Sequence, residues 1–227
     1  MGELFTAEFW DYFSPLLLTG TRDTLVMTVV STVFAYLLGL PLGVLLVLTG
    51  DHGICPHQTL NRCVGWVINV GRSLPFIILM VCVMPFTKIL VGTKIGVLGA
   101  IPPLVISAAP FIARMVETSL SEVDAGVVEA AQSMGASTFQ IIWKVYLPEA
   151  LPSLILGGSI SIITILAYTA IAGAIGAGGL GDLAIRYGYQ RREPAKMWVA
   201  AVLLIVLVQV IQSVFSRVSN RIDKRLK

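Results

Sequence analysis

Charge is what this sequence is shortest of: 13% of its 227 residues are Asp, Glu, Lys or Arg, against roughly one-quarter in a soluble domain. With 56% of the residues hydrophobic, that shortage excludes a free-standing soluble globule and implies an integral membrane protein. Cysteine is scarce too. There are three, and Cys82 lies inside an apolar run, which excludes a disulfide framework. Both histidines, His52 and His57, sit in one polar loop, so the apolar runs hold no Ser/His or Asp/Asp constellation for an intramembrane enzyme. No G-x-x-x-x-G-K-[ST] occurs, so the chain has no phosphate-cradling loop of its own. A net charge of +3, scattered along the chain, offers no footprint for nucleic acid.

Long apolar stretches are present instead. A membrane span needs about 20 residues with few or no charges. Five stretches qualify: 24–48, 63–87 with Arg72 inside it, 95–113, a segment within the charge-free 150–181, and 197–216. The expected fold is therefore all-α, with five transmembrane helices and its termini on opposite sides of the membrane. Residues 1–23 lack a basic start and a short apolar core, so no cleavable signal peptide is expected. They read as an interfacial segment with Phe5, Phe9, Trp10 and Phe13 at the headgroup level. Counting cations does not orient the bundle. Arg217, Arg221, Lys224, Arg225 and Lys227 in the tail are matched by Arg186, Arg191, Arg192 and Lys196 before the last span. Gly39 and Gly43 form a G-x-x-x-G, read as a close helix contact within one chain in preference to a dimer seam. Pro75 and Pro85, then Pro102, Pro103 and Pro110, place kinks in the second and third spans.

Between the third and fourth spans the pattern changes. Val127, Val128, Ala131 and Met134 form one stripe at helical spacing, with Gly126, Glu129, Gln132 and Ser133 elsewhere around the wheel. Asp124 is placed as an N-cap and Gly135 where a helix stops in a left-handed conformation. Ser137 and Gln140 form a capping box for a second short helix through Ile141, Ile142 and Val145. Pro148 and Pro152 suit the start of the fourth span. The plain reading is a connector with surface helices. The sharper one notes that Ala125, Gly126, Ala130, Ala131 and Ala136 would let a helix sink into a groove on another protein, with Glu129 available to a cation.

This loop resembles the E-A-A-x3-G-x9-I-x-L-P signature of the permease subunits of binding-protein-dependent ABC importers. The chain has Glu129, Ala130, Ala131, Gly135, Leu147 and Pro148 at that spacing, with Val145 where the pattern has Ile. The stretches "RSLPFIILM", "AAPFIARMVE", "KVYLPEALP" and "GAGGLGDLAIRYGY" resemble the methionine importer permeases over residues 72–189. The resemblance implies a permease of the bacterial inner membrane whose loop at about 121–147 is a cytoplasmic coupling helix seated in an ATPase subunit. It implies an outer segment 1–23, a permease domain 24–218 and a cytoplasmic basic tail 219–227. The implied partners are a second copy, two ATP-binding subunits that hold ATP-Mg, and a periplasmic or lipid-anchored binding protein. The implied transport is of methionine, in L- and D-forms. Another small amino acid or solute, or a channel outside the importer class, stays open as an alternative.

An apolar route with a few hydroxyls would suit such a substrate, and Ser73, Ser107, Ser159, Ser161, Thr164 and Tyr168 are its candidates. Each hydroxyl also has the option of bonding the i−4 carbonyl of its own helix. Gly176, Gly178 and Gly181 match the dinucleotide fingerprint, but they close a membrane span rather than join a strand to a helix, so a tight outer turn is expected. His52, Cys55, His57 and Cys63 are metal-capable, yet their spacing matches no finger pattern and a plain cytoplasmic turn is expected. Arg72 reads as snorkelling from the start of the second span or as a polar contact in the bundle, with Glu117 pairing either Arg114 or Arg72.

Overall fold

A computed structural model describes residues 7–222, and the chain is helical almost throughout, with no strand among the described residues. Phe5, Lys224, Arg225 and Lys227 lie outside the described residues. Four helices are long and apolar enough to cross a membrane: α1 (Ala7–Thr49), α4 (Gly96–Ser121), α8 (Leu151–Ala174) and α10 (Pro194–Ile222). A bent pair, α2 (Gln58–Ser73) and α3 (Phe76–Val91), with 107° between them, is apolar enough when taken together to be a broken span, which would make five crossings, or a re-entrant loop. The expected continuous run 63–87 is thus broken. Leu74 precedes a proline and is driven out of the helical region, and Pro75 then serves as the N-cap of α3. Arg72 is the exposed basic residue of the last turn of α2, placed beside the break rather than inside a straight span. By contrast α4 runs unbroken through Pro102, Pro103 and Pro110.

The chain divides into two compact units. The first comprises the residues up to Val33, Leu74–Ser107 and Ile162–Gln212. Here the expected headgroup placement of Phe9 and Phe13 is corrected. Both rings are buried, Phe13 completely, among Leu17, Leu180, Leu183, Ala195 and Ala200. Trp10 is 42% exposed. Burial of those rings explains why α1 begins at Ala7 rather than near Thr24, making it 43 residues and about 65 Å long, roughly twice a hydrocarbon core. A second core gathers Met27, Phe76, Met80, Ala100, Leu104, Ala172 and Ala177. The glycine-rich turn after α8 stops the helix at Gly176, with φ +93°: the Ala177 amide donates to the Ala172 carbonyl and the Gly176 amide to that of Gly173. The short α9 (Gly179–Asp182) and a π-helical segment, Leu183–Gln190, follow. In that region Arg186 pairs with Asp182 at 2.5 Å and Lys196 with Glu193, so local carboxylates offset two of the four cations that balanced the tail.

The second unit comprises Phe34–Ser73, Ala108–Ser161 and the residues from Ser213. Gly39 and Gly43 face α4, where a Cβ on Gly39 would meet Ile112 and the Ala109 carbonyl, and one on Gly43 would meet Val116 and the Ala113 carbonyl. The G-x-x-x-G is a helix contact within the chain. Leu46, Ile68 and Ala113 bury the seam, and Asn61 caps the end of α1 by donating to the Leu46 carbonyl at 2.8 Å and to Thr49 Oγ1 at 3.1 Å. Arg114 satisfies its guanidinium on Glu117 Oε2 at 2.6 Å and Asn69 Oδ1 at 3.0 Å, so Glu117 pairs with Arg114 and not with Arg72.

Candidate functional site

The segment between α4 and α8 is built almost entirely from local hydrogen bonds. Asp124 caps α5 (Ala125–Ser133), its carboxylate accepting from the Gly126 amide at 2.8 Å. At the other end the Ala136 amide donates to the Ala131 carbonyl and the Gly135 amide to that of Gln132, with Gly135 at φ +78°. This Schellman turn closes α5 by satisfying carbonyls that have no partner further along the helix. Ser137 then starts α6 (Thr138–Ile141) with both halves of a capping box: its amide donates to Gln140 Oε1 at 2.8 Å and its hydroxyl accepts from the Gln140 amide at 3.4 Å. A π-helical stretch, Ile142–Tyr146, leads into α7 (Leu147–Glu149).

Only part of the expected stripe is buried. Val128 and Ala131 face inward, while Val127 and Met134 are exposed, Met134 by 81%. The physical reason is width: a nine-residue helix lying on its own chain buries one narrow line of contact. Of the motif residues, Glu129 and Ala130 are exposed, Ala131 is turned into the chain, Gly135 forms the turn, Val145 and Leu147 are half-buried, and Pro148 is exposed. Sequence reasoning passed over Phe139 and Trp143, which are 68% and 58% exposed with ring centroids 6.0 Å apart. The available signal was two aromatic residues one helical turn apart outside any span. With Val127 and Met134 they are the large apolar side chains left exposed on this segment.

Beneath α5 lies a cavity of about 430 Å³, lined by Val128, Glu129, Gln132 and Tyr146 and, from elsewhere in the same unit, by Asn61 and Glu117. Burial raises the Tyr146 phenol above its ordinary pKa, so it is a neutral donor or acceptor at physiological pH. The first loop also touches this region, Cys55 Sγ standing 3.8 Å from Thr138 Oγ1. The metal-capable residues there are dispersed. His57 Nδ1 accepts from the Leu60 amide at the start of α2, His52 lines the cavity, Cys63 is exposed on α2, and among the described residues no three such groups meet.

The hydroxyl candidates fall in both units. Ser73 is exposed and donates to the Asn69 carbonyl at 2.8 Å. Ser107 is buried on α4. On α8 the positions of Ser161, Thr164 and Tyr168 lie within about 60° of one another around the helix, and Ser159 is on the opposite side. Ser161 donates to the Gly157 carbonyl at 2.9 Å and lies 3.5 Å from the Tyr36 hydroxyl. Tyr168 stacks flat on Phe76, with ring centroids 4.5 Å apart and 3° between the planes.

Comparison with known proteins gives the class. The family described as "Binding-protein-dependent transport system inner membrane component" matches residues 39–227, and the chain belongs to it. Within that family it is 50% identical over 219 residues to the probable D-methionine transport system permease protein MetI of Vibrio cholerae, covering 96% of this chain and 97% of the relative. It is 48% identical over 181 residues to the methionine import system permease protein MetP of Bacillus subtilis, covering 80% and 82%. Among solved structures it matches a chain of the MetNI methionine ABC transporter in an inward-facing conformation, with a TM-score of 0.92, 46% identity, and coverage of 93% of this chain and 98% of that one.

Proposed function

We propose that this chain is the membrane-spanning permease subunit of an ABC importer for methionine, working as a homodimer with two ATP-binding subunits and an external binding protein. The reading is carried by one observation: a separately capped helix, α5, with an exposed Glu129–Ala130 edge and an apolar Val127–Met134 flank, on a chain otherwise made of spans. The names of the relatives supply the substrate class. The amino terminus lies outside and the basic tail in the cytoplasm, on the same side as α5. Nucleotide binding in the partner draws the two docked α5 helices together and the spans open outward; hydrolysis reverses the motion. The chain does no covalent chemistry and needs no cofactor of its own. Ala130, Met134, Phe139 and Trp143 offer the contact area, Glu129 the charge, and the capped ends stiffness to transmit force.

The test is reconstitution with the partner ATPase and binding protein, followed by ATP-driven uptake of labelled methionine with other amino acids as competitors. Uptake should be blocked by excess methionine and abolished by Glu129→Lys or Gly135→Pro. Unimpaired, ATP-coupled uptake in both variants would sink the docking role, and uptake indifferent to methionine would sink the substrate.

A further inference from the structure

α10 is the least covered of the four long spans: 6% of its apolar stretch is buried, against 61% in α4. Most of that open surface needs no explanation, because valine, leucine and isoleucine are at home among lipid tails. Two residues do. Gln209 and Gln212 are exposed on α10, and neither makes a hydrogen bond among the described residues.

Depth makes this costly. Trp198, 57% exposed, marks the headgroup level near the start of α10. Gln209 follows it by about 16 Å of helix, which is the middle of a hydrocarbon core about 30 Å thick. A glutamine amide has two N–H donors and a carbonyl acceptor, and acyl chains answer none of them. Polar side chains at this depth accordingly turn toward other protein or a water-filled space.

The surface beside Gln209 is concave. A groove of about 300 Å³ runs between α8 and α10, walled by Leu166, Ala167 and Ala170 on one side and by Leu204, Ile205, Val208 and Gln209 on the other. The two alanines lower the α8 wall, and small residues between spans let another helix backbone come close. Gln212, one turn beyond Val208, continues the same face of α10.

We propose that this groove is the seam between two copies of the chain, with α10 of the second copy laid against α8 and α10 and the two Gln209 amides paired across the two-fold axis. Chemistry selects a second copy over an unrelated span. One amide carries both donor and acceptor, so identical residues facing each other across a two-fold axis satisfy one another in both directions. A groove whose walls are apolar but for one amide suits helix packing, whereas a zwitterionic amino acid would leave its charges uncompensated there. This rests on the homodimer stated above and adds where its halves meet.

The experiment uses the complete reconstituted transporter with the three native cysteines replaced by alanine and a single new one introduced as Gln209→Cys, Ile205→Cys or Val210→Cys. Val210 is the control, 55% exposed but about 100° further around the helix. Mild oxidation should join two chains in Gln209→Cys and Ile205→Cys and leave Val210→Cys unlinked. Gln209→Leu, in the otherwise native chain, should weaken self-association of the full chain in detergent about tenfold, the scale of a hydrogen-bonded pair between spans. A transporter that holds two copies, yet links Gln209→Cys no better than Val210→Cys, has its seam elsewhere and overturns this inference alone. So does a Gln209→Leu chain that associates like the wild type, or a Gln209→Cys thiol labelled by a membrane-impermeant maleimide, the sign of a water-filled route. A transporter with one copy of the chain overturns the homodimer, and this inference with it.

Discussion

Gly43 lies so close to Ala113 that a Cβ at position 43 would stand 2.6 Å from the Ala113 carbonyl oxygen and equally near Val116 Cβ. The neighbour on one side is backbone, which cannot rotate away. Gly43→Ala should therefore cost about 1–3 kcal/mol, in the range of an overpacked core. Gly65→Ala is the control, because its Cβ would meet Arg114 Nη2 at 3.4 Å, at the flexible end of a side chain. Thermal unfolding in detergent should show a loss for the first and little change for the second.

Thr24 holds the turn after α8 by accepting the buried Leu180 amide at 2.9 Å. Thr24→Val keeps the shape and removes the acceptor, leaving a buried N–H without a partner at a cost of about 1–3 kcal/mol. Thr24→Ser keeps the oxygen and should be nearly neutral. Faster hydrogen exchange of the Leu180 amide in the valine variant alone would be the local sign.

At Gly135 nothing lies within 4 Å of where a Cβ would stand, so the cost of a side chain there is conformational, set by φ of +78°. Gly135→Asn should be tolerated, since asparagine visits the left-handed region, whereas Gly135→Val should lose more than the roughly 1–2 kcal/mol typical of an ordinary residue there. Exchange of the α5 amides and ATP-driven uptake should rank glycine, asparagine and valine in that order.

Arg114 serves Glu117 and Asn69 with different nitrogens of one planar group. A lysine ammonium is a point charge on a flexible stem and does not reproduce that fork. Arg114→Lys should destabilise by roughly 1 kcal/mol, and a double-mutant cycle of Arg114→Ala with Asn69→Ala should return a coupling energy of about 0.5 kcal/mol or more. Additive losses would mean that the contact contributes nothing.

Much of the site was legible because its determinants are short-range. Asp124, Gly135, Ser137 and Gln140 act through bonds to residues two to five positions away, so their spacing foretells their geometry. What spacing did not foretell is which side of α5 turns inward. Ala131 and Met134 share a stripe, yet one is buried and the other 81% exposed, because the rest of the unit covers only part of that stripe.

By itself the sequence determined the all-α membrane class, the apolar crossings, the capped loop between them and the family signature in that loop, each a property of hydropathy or of spacing within a few turns. Tertiary contact decided the rest. Phe9 and Phe13 extended α1 by packing on Leu180 and Leu183, Arg114 won Glu117 from Arg72, and Ser31 and Thr87 were enclosed without a partner. These outcomes depend on which distant residues arrive beside one another, and periodicity along a chain carries no information about that.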